Sequence, residues 1–207
     1  MIAIVDYGIG NIQSIRNMLV KLDYPCSLAR TGDDLKHCDR IILPGVGAFS
    51  EGISKLRASG LIPELEHQVL QLKKPVLGIC LGMQMMMSRS DEGQVDGLNW
   101  VAGQVRRFPS SVGDLSLRIP HIGWCAVTEK KESALTASLR PNSRFYFVHS
   151  YYVSCSYRAD VLLESNYGIP FDSAIRVNNI YGVQFHPEKS HSFGMDLLSA
   201  FARLNPN

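Results

Sequence analysis

Residues 74–84 constrain the fold of this 207-residue chain more than any other stretch. The apolar run at 76–79 has no polar face and therefore predicts a short buried strand of a parallel sheet. Cys80 follows the run at once, and residues 83–87 then predict a helix. Gly78 and Gly82 stand two residues before and after the cysteine, which is the spacing of a nucleophile elbow. At either position a Cβ atom would collide with the neighbouring backbone of that strained turn.

The predicted turn also places the sulfur of Cys80 at the start of a helix. There the helix dipole and the free N–H groups favour the thiolate, which is the reactive form of cysteine. The stretch therefore indicates a catalytic cysteine. A structural cysteine in a glycine-containing turn between strand and helix is the alternative that this stretch leaves open.

The composition excludes several classes of protein. Apolar residues make up 45% of the chain and charged residues 19%, as in ordinary globular proteins. A net charge of +2 without any run of Lys and Arg argues against a nucleic-acid partner. No apolar run reaches the roughly 18 residues of a membrane helix. The N-terminal apolar stretch turns polar at Asp6, so it predicts a strand and not a signal peptide.

Five cysteines without a CxxC pair predict neither a disulfide framework nor a zinc site. They fit a reducing compartment, so we expect a cytoplasmic protein. His37 and Cys38 are adjacent, but no second ligand pair lies at zinc spacing, and we expect neither a metal nor a cofactor.

The first half of the chain alternates predicted strands with predicted helices. Such alternation indicates a parallel sheet covered by helices on both faces. The loops after the first, third and fourth strands contain glycine and should meet at one edge of the sheet, so Val46, Gly47 and Cys80 should converge. Gly8 and Gly10 lack the third glycine of a dinucleotide-binding turn. Strands are predicted at 2–7, 24–28, 40–43 and 76–79, and helices at 12–22, 51–56 and 62–72.

After residue 88 short strands separated by turn residues replace the helices. We therefore expect an α/β fold with a mostly parallel central sheet flanked by helices and an antiparallel extension in the second half. A single domain over residues 1–207 is the simplest organisation. The predicted strands are 104–108, 115–119, 124–127, 145–152, 161–166, 173–177 and 180–185, and a closing helix is predicted at 193–204.

A second catalytic motif stands near the end of the chain, where His186, Pro187 and Glu188 follow a predicted strand. Pro187 keeps the chain extended, so the side chains on either side of it can point the same way. A carboxylate can then orient the imidazole and leave its other nitrogen free to take a proton from a thiol. The alternative is an exposed histidine and glutamate in a polar turn.

Together the two motifs give the chain a clear family likeness. It resembles the class I, triad-type glutamine amidotransferases, and more narrowly the glutaminase subunits of imidazole glycerol phosphate synthase. The resemblance runs the full length of the chain. It is carried by residues 6–11, 43–49, 78–84, 120–124, 147–151 and 182–190.

The resemblance implies a role for each residue of the site. Cys80 would attack the side-chain amide of glutamine, His186 would act as base and then as acid, and Glu188 would orient the imidazole. Backbone N–H groups would hold the oxyanion, and Glu92 would pair with the α-ammonium of glutamine. The oxyanion residues are Leu81, Val46 and Gly47, and the glutamine-binding residues are Gly47, Gln84, Glu92, Ser150 and Tyr151.

The resemblance also implies a partner. In this family the ammonia passes into a (β/α)8-barrel synthase subunit, which makes imidazole glycerol phosphate and AICAR in histidine biosynthesis. The expected assembly is a heterodimer. For Trp124 the alternative to a docking role is a place in the core of the second-half sheet. The positions that match the docking surface are Asn11, Trp124, Tyr146 and Lys189.

Three other functions remain open at this point. The family usually has Asn after its Gly-Trp pair, whereas this chain has Cys125. The chain could therefore be one of the related subunits that supply ammonia for amidation of surface sugars. An elbow-cysteine hydrolase would need neither Gln84 nor Glu92. An intact set of Cys, His and Glu argues against a catalytically silent interaction protein.

Overall fold

The computed structural model of the chain describes residues 1–205. Strands dominate its second half and helices alternate with strands in its first. The elements are β1 Ile2–Val5, α1 Ile12–Lys21, β2 Cys26–Ala29, α2 Gly32–Lys36, β3 Arg40–Gly45, α3 Phe49–Ala58, α4 Ile62–Glu66, β4 Val76–Cys80, α5 Leu81–Met85, β5 Met87–Ser90, β6 Val95–Asp96, β7 Val101–Arg107, β8 Ser111–Val112, β9 Leu115–Ser116, β10 His121–Ala126, β11 Thr128–Glu129, β12 Arg144–His149, β13 Tyr151–Cys155, β14 Val161–Tyr167, β15 Ile169–Val177, β16 Ile180–Val183 and α6 His191–Ala202.

Five strands form the parallel part of the sheet, in the order β2-β1-β3-β4-β16. β1, β4 and β16 are buried along their whole length. Side chains of successive β1 residues enter two different core clusters, Ile2 and Ile4 on one face and Ala3 and Val5 on the other. Helices α3 and α4 pack on one face, and α1 and α6 pack on the other. The predicted parallel sheet with helices on both faces is confirmed.

The sheet continues beyond β16 in the order β15-β13-β7-β5-β6. All of these pairs are antiparallel except β5 with β7. This is the predicted extension of the second half. The strand predicted at 145–152 is, however, two strands: β12 pairs with β10 in a separate ribbon, whereas β13 joins the main sheet. The buried residues on the two sides of the break, Phe147, His149 and Val153, all stand at odd positions, so periodicity alone does not reveal a change of partner.

Two helix predictions need correction. The helix after Cys80 ends at Met85, and Met87 begins strand β5 beside Val101. Methionine favours helices, but these side chains are buried all round and tertiary packing overrides the preference. The helix predicted at 62–72 is α4 followed by a wider π-helical turn over His67–Gln71. None of the helices formed by residues 1–205 is long and apolar enough to cross a membrane.

Candidate active site

Cys80 occupies a strained turn between β4 and α5. Its backbone has φ of 53° and ψ of −108°, a conformation that non-glycine residues rarely adopt. A Cβ atom on Gly78 would lie 2.7 Å from the backbone nitrogen of Met83, and one on Gly82 would overlap the carbonyl oxygen of Leu43. The turn therefore has the close backbone approach expected of a nucleophile elbow.

His186 and Glu188 lie on the turn that follows β16. The Nδ1 atom of His186 lies 2.7 Å from Oε1 of Glu188, and both side chains are almost completely buried. The backbone N–H of His186 donates to the carbonyl of Tyr146 at 2.9 Å, which fastens this turn to β12. The exposed polar turn considered for this motif is therefore wrong.

The surroundings of His186 favour the protonated form of its imidazole. Burial lowers the pKa of His186, but interactions with Cys80 and Glu188 outweigh burial and raise the pKa to about 10. Burial raises the pKa of Glu188, whereas His186 and Asn11 lower it, and the net shift is downward. Among residues 1–205 the Nε2 atom of His186 has no hydrogen-bond partner and stays available for a thiol or a substrate.

Asn11 binds the carboxylate of the same cluster. Its Nδ2 atom donates to Oε1 of Glu188 at 2.9 Å, so this oxygen accepts from both Asn11 and His186. The family resemblance implies a place for Asn11 on the docking surface only. In the structure it also lines the pocket beside Cys80 and holds the group that orients the imidazole.

A pocket of about 520 Å³ opens at the carboxyl edge of the parallel strands. It brings together residues from loops that are far apart in the sequence, and most of the predicted site residues line it. Glu188 lies behind His186, while Trp124 and Tyr146 lie outside the pocket. Its lining residues are Asn11, Val46, Gly47, Cys80, Leu81, Gln84, Glu92, Pro120, Val148, His149, Ser150, Tyr151, His186 and Lys189.

Two of the predicted glutamine-binding side chains already have protein partners. Oε2 of Glu92 accepts from the backbone N–H of Phe49 at 2.7 Å, at the start of α3. Nε2 of Gln84 donates to the carbonyl of Tyr151 at 2.9 Å. These bonds hold the two side chains in place on the pocket wall. A buried thiol beside a carboxylate-held imidazole, in a pocket lined by both polar and apolar groups, can attack an amide carbon.

Comparison with known proteins identifies the family. The family described as glutamine amidotransferase class-I matches residues 3–203. The chain belongs to the class I glutamine amidotransferases. Imidazole glycerol phosphate synthase subunit HisH of Bdellovibrio bacteriovorus is 48% identical over 204 residues, covering 99% of this chain and 100% of that protein. The HisH subunit of Leptospira borgpetersenii is 45% identical over the same shares.

The fold of this amidotransferase is also found in solved structures. PurLQS from Thermotoga maritima superposes with a TM-score of 0.73 at 16% identity, over 97% of this chain and 96% of that chain. At this identity the likeness concerns the fold alone. It agrees with the parallel sheet and antiparallel extension described above.

The outer face of the β10–β12 ribbon carries the remaining predicted docking residues of the amidotransferase. Trp124 is 43% exposed and stacks on His191, with ring centroids 5.6 Å apart. The interpretation of Trp124 as core is therefore wrong. Lys189 lies over the ring of Tyr146 at 5.9 Å. Cys125 projects from the opposite face of β10, where its sulfur lies 3.5 Å from the carbonyl of Asn166.

A pair of buried histidines beside the amidotransferase pocket was not predicted from the sequence: His149 lines the pocket, and His121 contacts His149. Nδ1 of His121 lies 3.2 Å from Nε2 of His149, and Nδ1 of His149 lies 2.8 Å from the carbonyl of Tyr151. The carbonyl can only accept, so His149 donates from Nδ1 and accepts at Nε2. Burial lowers the pKa of His121 to about 4. Burial, together with the neighbouring His121 and His186, lowers the pKa of His149 to about 3. Both residues stand in motifs of the resemblance, but their pairing has no signal in the spacing.

Gln184 is a further buried residue at the site that the sequence analysis did not single out. It has no exposed surface, and its Nε2 atom lies 3.7 Å from the sulfur of Cys80. β16 runs parallel to β4 with Val183 opposite Ile79, so Gln184 stands beside Cys80 one residue further on. The resemblance had already included Gln184 in the motif at 182–190, but it gave no role for it.

Proposed function

We propose that this chain releases ammonia from L-glutamine as the glutaminase subunit of imidazole glycerol phosphate synthase. The observation that carries the proposal is the elbow thiol of Cys80 beside an imidazole that Glu188 orients, in a pocket that the polar side chains of Gln84 and Glu92 also line. The relatives named HisH match this chain over their full length, and their names indicate the biological setting.

The chemistry follows from the arrangement of these groups. The thiolate of Cys80 attacks the side-chain amide carbon of glutamine, and His186 protonates the amide nitrogen, which leaves as ammonia. A water molecule then attacks the thioester carbon, with its proton passing to His186. Glutamate leaves and the thiol is restored. Glu188 holds the imidazole throughout and transfers no proton.

Backbone groups of two loops would stabilise the oxyanion. Leu81 begins α5, where the N–H groups of the first turn have no partner within the helix. Val46 and Gly47 line the same pocket, and Gly47 has a positive φ of 94° with open space where a side chain would be. This loop can therefore turn an N–H group toward the substrate without a steric clash.

The walls of the pocket would hold the rest of the glutamine molecule. The carboxylate of Glu92 would pair with the α-ammonium group, since a charged partner favours both ions in a partly buried site. The Oε1 atom of Gln84 remains available, because both donors of this amide are used inside the protein. The backbone of Ser150 and Tyr151 would lie along the extended substrate, as the resemblance implies.

The ammonia would pass to a (β/α)8-barrel synthase subunit in a heterodimer. Trp124 and Tyr146 offer exposed or half-exposed aromatic rings, and such residues often anchor protein interfaces. Lys189 and Asn11 connect this surface to the pocket, because both line it. All five cysteines are unpaired, which supports a reducing compartment such as the cytoplasm. Core clusters that draw on both halves support one domain over residues 1–207.

Cys125 favours a second candidate, a paralogous subunit whose ammonia amidates a surface sugar. The family usually has Asn at this position, but the Cys125 side chain faces Asn166 and not the surface of Trp124. Cys125→Asn therefore tests the acceptor through the packing behind β10. In histidine biosynthesis the change is tolerated or improves coupling to the barrel, whereas with another acceptor it impairs coupling and spares glutamine hydrolysis.

The decisive experiment measures ammonia release from glutamine by the purified chain, alone and with the barrel subunit encoded by the same organism. We expect release that increases on adding the barrel, together with formation of imidazole glycerol phosphate and AICAR. Ammonia release without these products would exclude histidine biosynthesis but keep the glutaminase. No release under either condition would refute the glutaminase itself.

A further inference from the structure

Gln184 contacts the nucleophile from the side of the protein interior. Its Nε2 atom lies 3.7 Å from the sulfur of Cys80, within the range of a hydrogen bond to sulfur, and its side chain has no contact with solvent. The backbone N–H of Gln184 donates to Ser173 at 2.9 Å, which holds the residue against β15. We propose that Gln184 is a positioning residue for Cys80, donating from its amide to the sulfur and holding the thiolate in the orientation for attack.

The orientation of the Gln184 amide is determined by a backbone carbonyl. The oxygen of Tyr151 can only accept a hydrogen bond, so the nitrogen of the Gln84 side chain must face it, at 2.9 Å. The same nitrogen lies 3.1 Å from the Gln184 side chain, and the atom that it meets must therefore be oxygen. The nitrogen of Gln184 then points away from Gln84 and toward the sulfur. Reversing either amide would bring two donors or two acceptors together.

This arrangement complements the action of His186. Gln184 and His186 are two residues apart just after β16, and both side chains interact with the sulfur of Cys80. The imidazole exchanges a proton with the sulfur during the reaction. The amide of Gln184 does not titrate, so it can stabilise the negative sulfur without competing for the proton. The same chain of amides joins the sulfur to Tyr151 on the pocket wall. The inference rests on the proposed function only for the identity of the reaction.

Alkylation of Cys80 by iodoacetamide tests the role without any need for glutamine. The full chain is treated between about pH 5.5 and 9.5, the range in which cysteines ionise, and mass spectrometry of peptides separates Cys80 from the other cysteines. We expect Gln184→Met to move the midpoint of the rate profile upward by about one pH unit. Below the midpoint the rate should fall about tenfold, because the thiolate has lost a donor.

Gln68→Met is the matched control. Gln68 is also buried and donates to Glu64, outside the pocket, so its replacement disturbs packing without touching the sulfur. Its alkylation profile should superimpose on that of the unchanged chain, whatever happens to its melting temperature. A folded Gln184→Met variant with an unchanged profile would overturn the proposal.

A second variant decides the question if Gln184→Met does not fold. Gln184→Asn keeps an amide but withdraws it from the sulfur by one methylene group, so it should shift the profile in the same direction. An unchanged profile in this folded variant would also overturn the role. Ammonia release by the unchanged chain with the barrel subunit is measured in parallel. Its absence would refute the glutaminase, whereas the alkylation profiles would still report on Gln184.

Discussion

The two walls of the pocket are built in different ways. The wall from the first half is built mainly on glycine-bearing loops after β1, β3 and β4, with the strained turn at Cys80, and Gln84 and Glu92 add polar side chains to it. The wall from the second half consists of polar side chains in hydrogen bonds, including His149, His186 and Glu188. In the first wall steric exclusion fixes the geometry, whereas in the second wall donors and acceptors fix it.

The difference teaches which changes each wall tolerates. In the first wall an added methyl group is damaging even without any polar atom, because Gly82 touches the backbone of β3. In the second wall the volume matters less than the pairing, since a buried donor or acceptor without a partner is destabilising. The two walls meet at the sulfur of Cys80 beside His186 and Gln184, and also where Asn11 donates to Glu188 and Gln84 donates to Tyr151.

The largest expected effect comes from breaking the catalytic unit where the walls meet. Cys80→Ala and His186→Asn should each reduce glutamine hydrolysis by about 10⁴-fold or more, because the two residues act together. Glu188→Gln should reduce it less than either of these changes, since the residue orients the imidazole and transfers no proton. Ammonia release with the barrel subunit measures all three, with circular dichroism to verify folding. Equal and mild losses in the His186 and Glu188 variants would mean that His186 is not the base.

The steric wall is tested by one methyl group. Gly82→Ala should lower the free energy of unfolding by about 3 kcal/mol or more, because β3 must move away from the new side chain. Gly113→Ala is the control: it has a positive φ of 56° but open space around it, so strain alone should cost about 1 kcal/mol. Urea unfolding of both variants measures the difference. Equal losses would show that β3 accommodates the methyl group.

The outer face of the second half is tested at Trp124. Trp124→Ala should weaken binding of the barrel subunit by about 2 kcal/mol, because an aromatic anchor is removed. The reactivity of Cys80 should not change, since Trp124 lies outside the pocket. Leu72→Ala serves as control, because Leu72 is 48% exposed and precedes β4 at the opposite edge of the sheet. Calorimetric titration measures the binding. Equal affinities of the two variants would mean that Trp124 is not part of the docking surface.

The smallest expected effect is acid sensitivity of the hydrogen-bonded wall. His121 and His149 have folded-state pKa values of about 4 and about 3, below the ordinary value of 6.5. The unfolded chain therefore binds more protons below pH 6.5, and stability is lost as the pH falls from there toward 4. His121→Phe can keep the stacking on Tyr167 but removes one titratable group. It should therefore reduce the acid-induced loss of unfolding free energy by about 1.4 kcal/mol per pH unit.

Unfolding in urea at pH 7.5, 6 and 5 measures this slope. Tyr167→Phe is the matched control, because it changes the same aromatic stack without a group that titrates in this range. An unchanged slope in His121→Phe would mean that the buried pair does not cause the acid sensitivity. The loss of stability below pH 6.5 would then come from other titratable groups.

Much of the site could be predicted from local sequence. The elbow at Cys80 depends on two glycines at fixed spacing, and Pro187 orients the pair of His186 and Glu188 within a few residues. The convergence of Val46, Gly47 and Cys80 follows from the rule that parallel strands end at one edge. The roles that the family resemblance implies for Glu92 and for the docking surface stay predictions.

Only the tertiary structure decided which partners these residues have. Gln184 meets a sulfur 104 positions away in the chain, and Asn11 meets Glu188 across 177 positions. No periodicity encodes such pairs, because burial patterns report which face a side chain takes and not which atom it meets there. The break between β12 and β13 is hidden for the same reason, since the buried residues on both sides of it stand at odd positions. Local geometry thus determined the proposed nucleophile and its proposed base, while long-range hydrogen bonds determined what holds them in place.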